Sequence, residues 1–143
     1  MKLSSFLIAI CCTAFAVVVL MVGLGVKFHR PVQAVGASLY DPAHEVTLQG
    51  TVEDLRDFSC PVSEGEVGGH LLLKTSTGIV QVHLAPGRIL RSHHITFSPG
   101  EPVTVTGSQI RMMGSVDVIA REIDRGNEQL ILRDSAGKLM LVQ

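Results

Sequence analysis

Three side chains in this sequence have the chemistry to hold a transition metal, and two of them lie on the arms of one segment. The stretch "GGHLLLKTSTGIVQVHLAPG", Gly68 to Gly87, carries His70 and His83 on either side of a turn. Leu71, Leu73, Val80, Val82 and Leu84 share one parity, so they form the core face of a two-stranded hairpin. His70, Leu72, Lys74, Ile79, Gln81 and His83 share the other. If the connection runs from Thr75 to Gly78, Lys74 pairs with Ile79 and His70 lies directly opposite His83, with Cβ atoms about 5 Å apart. Two imidazoles at that separation can hold one metal ion. Cys60, in the loop ahead of the first arm, offers a thiolate as third ligand and leaves a fourth position open for water or a partner. A two-residue turn at Thr77 and Gly78 would instead pair His83 with Leu72 and spoil this geometry.

The opposing reading makes both histidines ordinary residues of a half-solvated sheet face. Cys60 is then a structural cysteine tucked under its loop, because Pro61, Glu64 and Glu66 supply none of the positive charge that lowers a thiol pKa. His93 and His94 are adjacent and can bring only one ring to a given side. They are read as the end of a short helix, where positive charge suits the dipole, and as candidate extra ligands.

The elements that position these residues follow from periodicity. "EVTLQGTVEDLRD" alternates through Val46, Leu48, Gly50 and Val52, a half-buried strand with a bulge or bend expected at Gly50. "FSCPVSEGEVGG" is a loop, followed by the hairpin. "PGRILRSHH" predicts two turns of helix with Ile89 and Leu90 facing inward, and "SPGE" predicts a turn. "PVTVTGSQIR" and "SVDVIAREI" are further strands, and the tail "NEQLILRDSAGKLMLVQ" predicts a C-terminal hairpin turning at Ser135 to Gly137, begun by Asp134. A long bent strand, a hairpin, a short helix and two more strands predict an all-β, five-stranded OB-fold Greek-key barrel, with the helix between strands three and four.

The landmarks "VTLQGTV", "HLLLKTSTGIVQVHL", "ITFSPGEPVTVTGSQI" and "VDVIAREI" resemble the bacterial exported OB-fold (BOF-like) families, over residues 45–124. The resemblance implies a fold and an envelope location rather than an activity. The anchored haem chaperone of cytochrome c maturation shares the architecture, but here no histidine follows His94 and the only tyrosine, Tyr40, precedes the barrel. Its function is therefore rejected.

Ahead of the barrel, residues 6–26 carry no charge and a single hydroxyl, Thr13. At 1.5 Å per residue they would span about 30 Å, the depth of a bilayer's hydrocarbon core. This predicts an N-terminal transmembrane anchor or signal peptide over residues 1–27, a Pro- and Gly-containing linker over 28–44, and the OB-fold domain over 45–143. Cleavage after Ala34 or Ala37 would release the domain, which is expected on the extracytoplasmic side of the cytoplasmic membrane or in the periplasm. From Ala37 onward the chain holds nine basic and 13 acidic residues, a formal charge of −4. With only Phe58 and Phe97 as aromatics of the barrel, that balance argues against nucleic acid, which needs clustered cations and stacking platforms. No phosphate loop, nucleophile elbow or paired-carboxylate motif is present, so no enzyme is expected. The expected function is a binding module that takes an envelope protein or a small ligand on Leu72, Lys74, Ile79 and Gln81, with no cofactor. The alternative is a divalent transition metal on His70, His83 and Cys60.

Overall fold

A computed structural model describes residues 39–141, which belong to the unit Gln33–Gln143. The expected apolar span at residues 6–26 lies outside the described residues. Among the described residues no helix is long and apolar enough to cross a membrane.

Six strands and one short helix follow in order: β1 (Glu45–Ser59), β2 (Val67–Thr75), β3 (Gly78–Pro86), α1 (Gly87–Ser92), β4 (Pro102–Met112), β5 (Ser115–Arg125) and β6 (Glu128–Ile131). β1 is long enough to serve two partners. Its first half pairs antiparallel with β4, Glu45 through Thr51, and its second half with β2, Thr51 through Ser59. β2 pairs with β3, β4 pairs with β5, and a short parallel ladder joins Val82 to Val118 and His83 to Ile119. The cyclic order 1-2-3-5-4-1, with a helix between strands three and four, is the expected OB-fold barrel. The sixth strand is the first arm of the expected tail hairpin, but it pairs with β5, and across the tail turn stands one isolated bridge, Arg133 to Leu139.

The alternation in β1 is observed, with Val46, Leu48, Gly50 and Val52 inward, but its irregularity lies between Val52 and Asp54 rather than at Gly50. Gly50 answers a different constraint. A Cβ there would stand 2.4 Å from the Lys74 carbonyl oxygen and 2.9 Å from Leu73 Cγ, so the strand crosses β2 too closely for any side chain. In the barrel interior Val52, Leu71, Leu73, Val82, Leu84, Val105, Val118 and Ala120 pack together. Leu90 from α1, with Ile95 and Phe97 after it, joins the same core. The tail turn forms as expected, with Asp134 Oδ1 accepting from the amides of Ala136 and Lys138.

A second, smaller core lies on the outer side of the barrel wall, where Tyr40, Cys60, Val62 and Ile119 are buried together. Residues 39–44, expected as linker, are thus part of the fold. Asp41 caps the 3-10 turn Pro42–His44, and the Asp41 amide donates to Ser108 Oγ on β4.

Replacing Gly50 with Ala should lower the stability of the barrel by about 1–3 kcal/mol, the usual range for overpacking. The obstructing atom is backbone and cannot rotate away. Urea denaturation checks this, with exposed Thr51→Ala as the control expected to stay within about 0.5 kcal/mol of the parent.

Candidate metal centre

The hairpin register is the one that places the histidines opposite each other. Thr75 pairs with Gly78, Lys74 with Ile79, and His70 with His83 across a Ser76–Thr77 turn. The expectation of a half-solvated face is corrected: His70 and His83 are 0% and 1% exposed. The loop between β1 and β2, with its 3-10 turn Pro61–Ser63, lies over that side of the sheet and buries Cys60, Val62 and Ser63. The "GG" before His70 leaves room for the loop at Gly68 and for α1 at Gly69. A Cβ on Gly68 would stand 1.9 Å from Ser63 Oγ, and one on Gly69 2.3 Å from Leu90 Cδ1.

Under this roof three ligand atoms converge. Cys60 Sγ is 3.1 Å from His70 Nε2 and 3.6 Å from His83 Nδ1, and the ligand atoms of all three residues lie within 4.8 Å of one another. Tetrahedral zinc, with bonds of about 2.3 Å to sulfur and about 2.0–2.1 Å to nitrogen, has sulfur–nitrogen edges of about 3.5 Å. The observed sulfur–nitrogen distances bracket that value. The two rings meet edge to face, with centroids 4.8 Å apart at 79°.

Two further residues complete the arrangement, and sequence reasoning missed both. Asp117 on β5, 2% exposed, has Oδ2 3.0 Å from His83 Nε2. The same oxygen accepts from Gln81 Nε2, while Oδ1 accepts from Ser115 Oγ. A carboxylate only accepts, so His83 carries its proton on Nε2 and turns the Nδ1 lone pair toward Cys60. This is the usual outer-sphere support of a metal-bound histidine. Phe58 stacks on His70 at 3.6 Å between centroids and 8° between planes, covering the ring. The signals were present as the lone aspartate of "SVDVIAREI" and the phenylalanine of "DFSC". Nothing in local periodicity ties either to a histidine on another strand.

Burial pushes the His70 imidazole down to about 4, helped by the neighbouring His83. Burial also lowers His83, against the opposing pull of Asp117. Both rings are therefore neutral near pH 7, the form that binds metals. His70 Nδ1 is buried without a hydrogen-bond partner; nearby backbone groups of Gly68 and Arg56 favour the protonated ring but do not overcome burial. Arg133 is buried nearby, lowered to about 10 by desolvation. Its Nη1 donates to the carbonyls of Leu84 and Ala120, where the β3–β5 ladder ends.

The remaining predicted residues fall elsewhere. Leu72, Ile79 and Gln81 line an open groove of about 590 Å³ with Val46, Leu48 and Val116. Lys74 is exposed near the hairpin turn and does not line it. His93 and His94 close α1 on the surface and are not part of the Cys60–His70–His83 group.

Fold and site together define an OB-fold protein with a buried cysteine–dihistidine centre. The chain belongs to the MamS/MamX magnetosome protein family, which matches residues 44–130. This is a different family from the exported OB-fold one that the sequence landmarks resemble; those landmarks marked the barrel. No curated protein matches the sequence. Among solved structures, a chain of the S. pombe Stn1-ten1 complex is 18% identical, covering 59% of each chain, with TM-score 0.44. The N-terminal domain of PriB from Thermoanaerobacter tencongensis is 19% identical over 60% of this chain and 99% of that one, TM-score 0.43. OBody AM1L10, solved bound to hen egg-white lysozyme, is 18% identical over 71% and 93%, TM-score 0.45. The fold assignment rests on the strand order, not on these likenesses.

The metal-free protein should lose stability as pH falls. His70 is neutral when folded down to about pH 4 but protonates near 6.5 when unfolded. Its contribution is therefore fully present above 6.5 and is lost progressively down to 4, a difference of roughly 3 kcal/mol. Urea midpoints measured from pH 8 to 4 check this. A flat profile across that window would show that His70 is already charged or exposed in the folded state.

Proposed function

We propose that this protein is a non-enzymatic, extracytoplasmic binding module whose ligand is a transition-metal ion held by Cys60, His70 and His83. The observation that carries this reading is a shortage of protons in a closed space. Two imidazoles and one thiol face one another, and one imidazole's outer nitrogen, His83 Nε2, is bonded to Asp117. If the Cys60 thiol donates to His70 Nε2, the His83 Nδ1 lone pair is unmet. If it donates to His83, His70 Nδ1 holds an unmet lone pair. Either tautomer leaves a buried nitrogen unsatisfied, at about 1–3 kcal/mol. A metal ion on the thiolate satisfies both inward lone pairs at once. The magnetosome description of the family fits metal handling.

The location follows from residues 6–26 acting as anchor or signal, and the non-enzymatic reading from the burial of Cys60 and its sulfur. Nucleic acid is set aside because both barrel aromatics are engaged, Phe58 on His70 and Phe97 in the core under Arg125. A second reading, a protein or small ligand on the hairpin's outer side, is favoured by the groove that Leu72, Ile79 and Gln81 line.

Metal content and titration of the full-length protein test the first reading. One ion per chain is expected, with binding lost in Cys60→Ser and in His83→Gln, and an unchanged stoichiometry in Ile79→Glu at the groove. Asp117→Asn should retain one ion with affinity about 10–100-fold weaker. Equal binding by the parent and by Cys60→Ser would dispose of the centre.

A further inference from the structure

We infer that the ion this centre is built for is copper(I), held by the Cys60 thiolate and the neutral imidazoles of His70 and His83 without a fourth ligand. The inference rests on the metal-binding reading above and adds the identity of the ion. Donor type, donor number and local charge each point to it.

The donors are one thiolate and two imidazoles, a set that suits copper(I) or zinc and offers nothing to oxygen-seeking ions. The nearest buried carboxylate, Asp117, is already occupied by His83, Gln81 and Ser115. Zinc in a protein is almost always four-coordinate, and a fourth ligand is hard to find here. Cys60 packs with Tyr40, Val62 and Ile119, while Phe58 covers His70. Among the described residues, the oxygen hydrogen-bonded to Cys60 Sγ is the Ser63 hydroxyl, at 3.6 Å, a neutral group. Copper(I) favours a soft thiolate, accepts imidazole beside it, and is satisfied by three such donors without a fourth.

Charge decides in the same direction. The buried Asp117 carboxylate and the buried Arg133 guanidinium act on His83 in opposite senses. Asp57, which also acts on His70, is exposed and paired with Arg91 at 3.7 Å. When copper(I) binds, the thiol proton leaves and one positive charge takes its place, so the buried charge is unchanged. A divalent ion bound by the same three groups would leave one extra positive charge in a desolvated site, where an uncompensated charge is strongly disfavoured.

The test uses the full-length protein, reduced and kept anaerobic, titrated separately with copper(I), zinc(II) and iron(II). Copper(I) is also competed against zinc(II), and X-ray absorption at the copper edge reads the coordination. The expected result is one copper(I) per chain, one sulfur and two nitrogen neighbours, and one proton released per ion. One equivalent of copper(I) should displace zinc(II) completely, and Cys60→Ser, with unchanged circular dichroism, should lose the copper. Zinc(II) or iron(II) retained against equimolar copper(I), or a copper site with a fourth light-atom neighbour, would overturn the inference while leaving a metal centre in place. No binding by any of the three ions would remove the metal-centre reading itself.

Discussion

Around His70, His83 and Ile119, strands β2, β3 and β5 are covered on both faces, and most of what is unusual about this barrel follows from that. In a small barrel one parity of each strand fills the interior while the other meets solvent. Here the outer parity around His70, His83 and Ile119 is roofed by the loop after β1 and by the segment around Tyr40. Polar groups caught beneath such a roof have no water to turn to, so they must satisfy one another or bind something. The side chains assembled there, a thiol, two imidazoles, a carboxylate, an amide and two hydroxyls, form one connected network of contacts from Ser63 to Ser115.

The roof depends in turn on close approach. β1 must bend to serve both β2 and β4, and Gly50 allows the crossing. Gly68 and Gly69 then let the loop and α1 lie directly on β2. The Glu66–Arg88 ion pair ties the end of that loop to α1, though at half-exposed positions where such a pair contributes little alone. Close backbone packing, rather than surface charge, therefore holds Cys60 over the histidine pair.

Electrostatics inside the roof are arranged around neutrality. Burial keeps both imidazoles uncharged, Asp117 orients His83 without protonating Nδ1, and Arg133 is buried near the centre with its charge partly absorbed by two carbonyl oxygens. A buried guanidinium is costly, and its position where the β3–β5 ladder stops gives it a structural task as well. It bridges the carbonyls of Leu84 and Ala120 where the parallel pairing runs out.

Much of this was legible in the sequence, because it follows from short-range rules. Alternation located the strands that form the barrel, the spacing left two hairpin registers of which one puts His70 opposite His83, and Gly and Pro marked most of the turns. Cys60, too, was readable as a candidate third ligand, beside its reading as a structural cysteine, from its position just ahead of β2. The burial of the pair was not legible, since a polar residue on the outer parity of a hairpin looks the same whether water or a loop lies above it. Nor were Asp117 and Phe58, which reach the histidines only through the β3–β5 closure and the β1–β2 pairing. By itself the sequence determined which residues face the same side of which strand, because side-chain direction has a period of two. Only the tertiary structure decided that this side is closed to water, because the roof comes from segments brought over it by barrel closure.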